Sequence, residues 1–201
     1  MTMAKPLARS SAAHRREYGF SLIEVMISIA ILTIGLVSIL GVFSLAMAST
    51  QSAQDDMIAK QEATEAIESV FTARNTAQIS WDALQNTPTG IFVQNFQPIL
   101  WQGADGIAGT GDDGPDPDPS CPGPSQCLKM PGPDGQLGTA DDIYLPLNNF
   151  QRQIAITPLL DVNNNTYSSL RQITVTVLYT TSQFRRVQKT YVMTAYISQY
   201  R

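Results

Sequence analysis

The stretch Gly19-Phe20-Ser21-Leu22-Ile23-Glu24 opens the segment that decides how this chain of 201 residues folds. No charged residue follows it between Val25 and Gln54. About 20 apolar residues are enough to cross a bilayer as a helix, so the segment predicts a single membrane span. Glu24 lies at the edge of this span. A carboxylate there costs free energy unless it meets a partner, which makes Glu24 a candidate functional residue.

The predicted helix extends beyond the span, because no proline interrupts the sequence from Phe20 to Arg74. Apolar side chains in its second half recur at three- and four-residue spacing, which predicts one buried stripe. The stripe consists of Ala59, Ala63, Ala66, Ile67, Val70 and Phe71. The polar positions are Asp55, Asp56, Lys60, Glu62, Glu65 and Glu68. We therefore expect a transmembrane half-helix at residues 20–50 and an amphipathic half-helix at residues 51–75.

The C-terminal third shows the two-residue alternation of half-buried strands. Apolar and polar side chains alternate around residues 151–157, 173–179 and 187–197, and the first two segments are separated by an Asp- and Asn-rich turn. This pattern predicts an antiparallel meander with one buried face. The expected fold class is α+β, with the long N-terminal helix packed on a small antiparallel sheet. The globular β-rich domain spans residues 76–201.

Residues 102–142 form an insert that is rich in glycine, proline and aspartate. It is poor in the large apolar side chains that a core of its own would need, which predicts a long surface loop. Cys121 and Cys127 lie in this insert. A disulfide between them is expected if the domain is exported, and two free thiols are the alternative.

The insert contains an eleven-residue pattern twice. Residues 103–113 and 132–142 match at seven of eleven positions and share D-G-x-x-G-T-x-D-D. Carboxylates on a glycine-bent loop suit a hard cation such as Ca²⁺. The candidate ligands are Asp105, Asp112, Asp113, Asp134, Asp141 and Asp142. The pattern is not an EF-hand, and a pair of solvated Asp-Gly turns explains the same residues, so both interpretations stay open. No other cofactor is expected.

Charge and side-chain chemistry argue against two classes of function. The formal net charge is −4, and it becomes −7 once residues 1–19, with four basic side chains and one acidic, are removed. This balance indicates no nucleic-acid partner. The single histidine, His14, precedes the span, and no phosphate-loop or nucleophile motif occurs, so we expect no enzyme. Basic residues before the span predict that the C-terminal domain lies outside the cytoplasm.

The opening stretch followed by an apolar helix resembles the N-terminus of type IV pilins and the related pseudopilins. The resemblance implies that prepilin peptidase removes a leader at residues 1–19 by cutting between Gly19 and Phe20, and that the new N-terminal Phe20 is methylated. It further implies a single-pass stage in the inner membrane. Assembly with other pilin subunits through the N-terminal helix would follow, with Glu24 paired to the Phe20 amine of a neighbour.

The sequence from Arg171 to Tyr179, followed by Lys189-Thr190-Tyr191, resembles the C-terminal hairpin of PilV-like minor pilins. This implies a minor subunit that assembles into, or primes, a type IV pilus. A type II secretion pseudopilin and a calcium-dependent surface adhesion module anchored by a pilin-type helix remain as alternatives. An ordinary secretory signal, cleaved after Ala46-Met47-Ala48, fits poorly because such signals have apolar cores of only about 7–15 residues.

Overall fold

The computed structural model describes residues 19–181 and 187–200, so the expected leader lies outside the described residues except for Gly19. One helix precedes all of the strands. The elements are α1 (Leu22–Asn75), β1 (Gln97–Pro98), β2 (Cys127–Met130), β3 (Ile143–Pro146), β4 (Phe150–Leu160), β5 (Thr166–Thr180) and β6 (Gln188–Ser198). The predicted α+β architecture is confirmed, because a long N-terminal helix packs on an antiparallel sheet.

The chain divides into two compact units, residues 1–46 and residues 47–201. In the first unit every described residue is exposed, including large apolar side chains such as Ile34 and Leu45. Among the described residues, α1 is the one helix long and apolar enough to cross a membrane by length and composition. The apolar side chains of α1 at residues 22–46 therefore have no protein core around them in the single chain.

The second unit is built on a four-stranded antiparallel sheet in the order β1-β4-β5-β6. A register shift between Pro158 and Leu160 interrupts the pairing of β4 with β5, whereas β5 and β6 pair without a break. The inward side chains of the sheet pack on the apolar stripe of α1. The predicted stripe is confirmed: Ala59, Ala63, Ala66, Ile67 and Val70 are buried, and Phe71 is partly buried against them.

The insert differs from the expected surface loop in two ways. Ile107 and Ala108 are only 1% and 0% exposed and belong to the main core, so the prediction was wrong for the first repeat. Strands β2 and β3 pair as a separate two-stranded hairpin within the region. Each strand has only four residues, so the alternation of apolar and polar side chains is too short to predict either strand from the sequence.

Candidate functional site

Ser21 caps the N-terminus of α1 and places Glu24 in its first turn. The Glu24 N–H donates to Ser21 Oγ at 3.3 Å and to the Ser21 carbonyl oxygen at 3.1 Å. A serine followed three residues later by glutamate is a capping-box sequence, and it satisfies N–H groups that a helix start leaves unpaired. Sequence reasoning assigned no role to Ser21, although this spacing signals the helix start.

Glu24 lies at the end of the helix where the backbone dipole is positive, which favours a negative charge. Within the described part of the chain its carboxylate forms no salt bridge, because the three ion pairs there involve other residues. Phe20, at the expected mature N-terminus, is 81% exposed. Both side chains are thus available to a neighbouring molecule, and their roles in processing and assembly stay predictions.

The two aspartate repeats fold into the same loop, each closed by the aspartate at its tenth position. Asp112 Oδ2 accepts from the Asp105 N–H at 3.4 Å, and Asp141 Oδ2 accepts from the equivalent Asp134 N–H at 3.2 Å. A Cβ atom on Gly103, the first residue of its repeat, would lie 2.4 Å from Asp112 Oδ2. The backbone and this carboxylate approach so closely that only glycine fits there.

The last aspartate of each repeat makes a second matching bond. Asp113 Oδ2 accepts from the Gly109 N–H at 2.7 Å, and Asp142 Oδ2 accepts from the Gly138 N–H at the same distance. The repeated sequence is therefore explained by a repeated set of carboxylate-to-backbone bonds. These bonds are the ones expected if the repeats are Asp-Gly turns, which is the alternative to a calcium site. They do not test whether the loops bind Ca²⁺.

Thr110 brings the three candidate carboxylates of the first repeat together. Its hydroxyl lies 3.2 Å from Asp105 Oδ2, 2.7 Å from Asp112 Oδ1 and 3.3 Å from Asp113 Oδ1. Its hydrogen bond, with those of backbone amides, holds the pKa of Asp112 below its usual range. Burial raises the pKa of Asp113, although hydrogen bonds and the charge of Arg152 oppose this shift. The sequence signal that could have identified Thr110 is the threonine that both repeats share at the eighth position.

The equivalent Thr139 organises the second repeat less extensively. Its hydroxyl donates to Asp141 Oδ1 at 2.7 Å and also lies near the Gln136 carbonyl oxygen. Asp142 instead pairs with Lys129 of β2, whose Nζ lies 3.1 Å from Asp142 Oδ2. The second repeat is therefore anchored to the β2–β3 hairpin.

The two repeats differ in what surrounds them. In the first, the Ala108 N–H donates to Ser69 Oγ of α1 at 3.2 Å, and a Cβ on Gly109 would meet Ile154 Cδ1 at 2.7 Å. In the second, Leu137 occupies the position of Ala108 and is 63% exposed. The same loop conformation is therefore packed into the core in the first repeat and exposed on the surface in the second.

A disulfide joins Cys121 and Cys127, as predicted, with Cα atoms 5.7 Å apart. The Cys127 N–H donates to Asp116 Oδ2 at 3.0 Å, which ties the start of β2 to the turn before the disulfide. Asp116 and both sulfurs lie within 4.8 Å of one another, a spacing suited to a metal ion. Because the sulfurs are bonded to each other, neither supplies the thiolate that metal binding requires.

The comparisons with known proteins concern the N-terminal segment. Residues 14–40 match the family model described as the prokaryotic N-terminal methylation motif. The match includes Gly19, Phe20 and Glu24, and it supports a prepilin-type precursor of the type IV pilin or pseudopilin kind. Comparisons with curated proteins and with solved structures gave no match.

Proposed function

We propose that this chain is the precursor of a PilV-like minor pilin, which assembles into or primes a type IV pilus. The observation that carries the proposal is the methylation motif at residues 14–40, which leads directly into an exposed apolar helix. A capped helix start with Glu24 in the first turn is suited to presenting one carboxylate beside the new N-terminus. The absence of catalytic motifs fits a structural and interactive role.

The Gly19–Phe20 junction, placed between a basic leader and the apolar helix, sets where the precursor is cleaved. Prepilin peptidase cuts between Gly19 and Phe20 and methylates the amine of Phe20. Before assembly the apolar half-helix holds the chain in the inner membrane as a single span. The basic residues of the leader favour the cytoplasmic side, so residues 47–201 lie outside the cytoplasm.

Assembly would transfer the apolar half-helix from lipid to neighbouring subunits. Glu24 and the Phe20 amine of an adjacent subunit are opposite charges, and each alone is costly in a low-dielectric bundle. Their pairing offsets part of that cost and permits one register between helices. The driving interactions of such a bundle are close packing and polar pairing rather than removal of apolar surface from water.

The test is to locate the chain in its own cell. Surface filaments are sheared from the bacterium and probed with an antibody against residues 47–201. The proposal predicts the chain in the sheared fraction, and its loss from that fraction when the pilus assembly ATPase is deleted. If the chain stays with the cell and type II secretion fails without it, the pseudopilin alternative replaces the minor pilin.

A further inference from the structure

Strand β6 forms one edge of the sheet. It pairs with β5 from Gln188 to Ser198 without a bulge, and within residues 19–181 and 187–200 no strand pairs with its other side. The edge therefore presents a row of backbone N–H and C=O groups over eleven residues.

The hydrogen bonds at both ends of β6 show which residues face outward. The Thr181 N–H donates to the Val187 carbonyl oxygen at 3.1 Å, and the Gln199 N–H donates to the Ser169 carbonyl oxygen at 2.8 Å. Hydrogen-bonded pairs in an antiparallel ladder recur at every second residue. The odd-numbered residues 189–197 thus bond to β5, and the even-numbered residues 188–198 present their backbone groups to the open edge.

The features that usually protect a sheet edge are missing from β6. Natural edges carry prolines, bulges, charges or very short strands, because an open edge pairs with other chains. The opposite edge of this sheet follows that rule, since β1 has two residues and one is Pro98. In contrast, β6 has no proline or glycine, and its one charged residue, Lys189, binds Asp56 at 2.9 Å.

The outward-facing residues of β6 also have the side chains of a paired strand. Thr190, Val192, Thr194 and Tyr196 are uncharged and favour strands. Val192 and Tyr196 are 54% and 60% exposed on the face away from the helix. Beside them, β-branched or aromatic side chains on an added strand would form cross-strand pairs.

We propose that the outer edge of β6 binds an extended, uncharged segment of another polypeptide, which joins the sheet as a fifth strand. The backbone ladder supplies the binding, and Val192 with Tyr196 selects β-branched or aromatic residues at alternate positions of the partner. This inference goes beyond the proposed function, because it concerns residues 47–201 and not the N-terminal helix.

The test uses the full chain in detergent micelles and a synthetic peptide of alternating threonine and valine with one lysine at each end. Hydrogen exchange is followed at single amides with and without the peptide. In the free chain the amides of Met193 and Ala195 are expected to be protected, and that of Thr194 to exchange rapidly. Peptide should slow exchange at Thr194 in a saturable way.

Two variants make the result specific. Thr194→Pro removes a donor that the fold does not use, which an edge strand tolerates. It should abolish the protection by peptide of the two neighbouring outward-facing amides, those of Val192 and Tyr196, whose exchange the peptide slows in the wild type. Thr194→Val keeps the donor and should bind as the wild type does. Continued protection of Met193 and Ala195 in the proline variant shows that β6 still pairs with β5.

Four results would overturn the proposal. They are a Thr194 amide already protected in the dilute free chain, absence of saturable protection by peptide, peptide binding that survives Thr194→Pro, and protection that rises with chain concentration alone. The last would assign the edge to a second copy of this chain. None depends on leader cleavage or filament assembly, so failure here is distinct from failure of the proposed function.

Discussion

Glu62 of α1 and Arg152 of β4 form a buried ion pair between helix and sheet. Arg152 Nη1 lies 3.4 Å from Glu62 Oε2, and the two side chains are only 4% and 5% exposed. Burial is the largest influence on the carboxyl group, and the nearby charge of Glu65 acts in the same direction. Together they outweigh the attraction of Arg152 and raise the pKa of Glu62 to about 7.

This shifted pKa predicts that the globular unit loses stability as pH rises. Glu62 has an unperturbed pKa of 4.5, so between that value and about 7 the folded chain binds more protons than the unfolded chain. The free energy of unfolding should therefore fall by about 3 kcal/mol from pH 4 to pH 8 through this group. Urea unfolding of the full chain in detergent at several pH values measures the change.

Glu62→Gln should remove this slope and make the chain more stable than wild type at pH 8. Glu68→Gln is the matched control, because Glu68 is an exposed residue on the same helix. It should keep the wild-type pH dependence. A wild-type minus Glu62→Gln difference that is constant with pH would show that Glu62 does not titrate in this range.

The two repeats provide a matched pair of substitutions for the core. Ile107 is 1% exposed, and Gln136 holds the same position in the exposed second repeat. Ile107→Ala should lower the free energy of unfolding by about 2–4 kcal/mol, because it leaves a cavity beside the helix. Gln136→Ala should change it by less than about 0.5 kcal/mol. Equal effects would mean that the first repeat contributes no more to the core than the second.

The sequence predicts the features that depend on local periodicity. The stripe from Ala59 to Val70 and the inward residues of β5, such as Val175, follow from helical and strand spacing. Helical spacing also places Glu62 on this stripe, three residues after Ala59, but its ion pair does not follow from spacing because Arg152 is 90 residues away. A charged side chain is ordinarily expected to be exposed unless it is paired. The partner of Glu62 in the protein interior is known only from the fold.

The insert shows the same limit in another form. Its two repeats match at seven of eleven positions and share their carboxylate-to-backbone hydrogen bonds, yet one is packed on α1 and the other projects. Composition describes a whole segment, so it could not single out Ile107 and Ala108 as core residues. In the candidate site, the Ser21 cap was readable from its spacing to Glu24, whereas the convergence of carboxylates on Thr110 required coordinates.

Calcium binding by the repeats is a separate prediction. Isothermal titration of the full chain in detergent should show Ca²⁺ binding, because each loop carries three aspartates on a glycine-bent turn. Asp112→Ala combined with Asp141→Ala should weaken it, since each loop loses one candidate ligand. Asp161→Ala is the control: Asp161 also accepts backbone N–H bonds in an exposed turn, from Asn163 and Asn165, but lies outside the repeats.

The wild type and the Asp161 variant should therefore bind Ca²⁺ equally. Absence of both heat and a thermal shift at millimolar Ca²⁺ would establish that the repeats are turns held by their own backbone bonds. Loss of binding in the Asp161 variant would place the ion elsewhere.

Glu24→Ala should permit leader cleavage and membrane insertion but reduce the amount of chain in sheared filaments. The carboxylate that would pair with a neighbour's Phe20 amine is lost, while the apolar span remains. Glu24→Gln should behave similarly, and Glu24→Asp, which keeps the charge, should restore part of the incorporation. Normal incorporation of the alanine and glutamine variants, seen by immunoblot, would remove the proposed charge pairing.

The N-terminus of the mature chain is the most direct measurement of the proposed identity. Mass spectrometry of the protein purified from its own membranes should show a chain that begins at Phe20 and carries one methyl group on its amine. Gly19→Ala is the companion variant, and it should retain the full leader. A mature chain that begins at Ser49 would instead establish an ordinary secretory signal and contradict the pilin-type precursor.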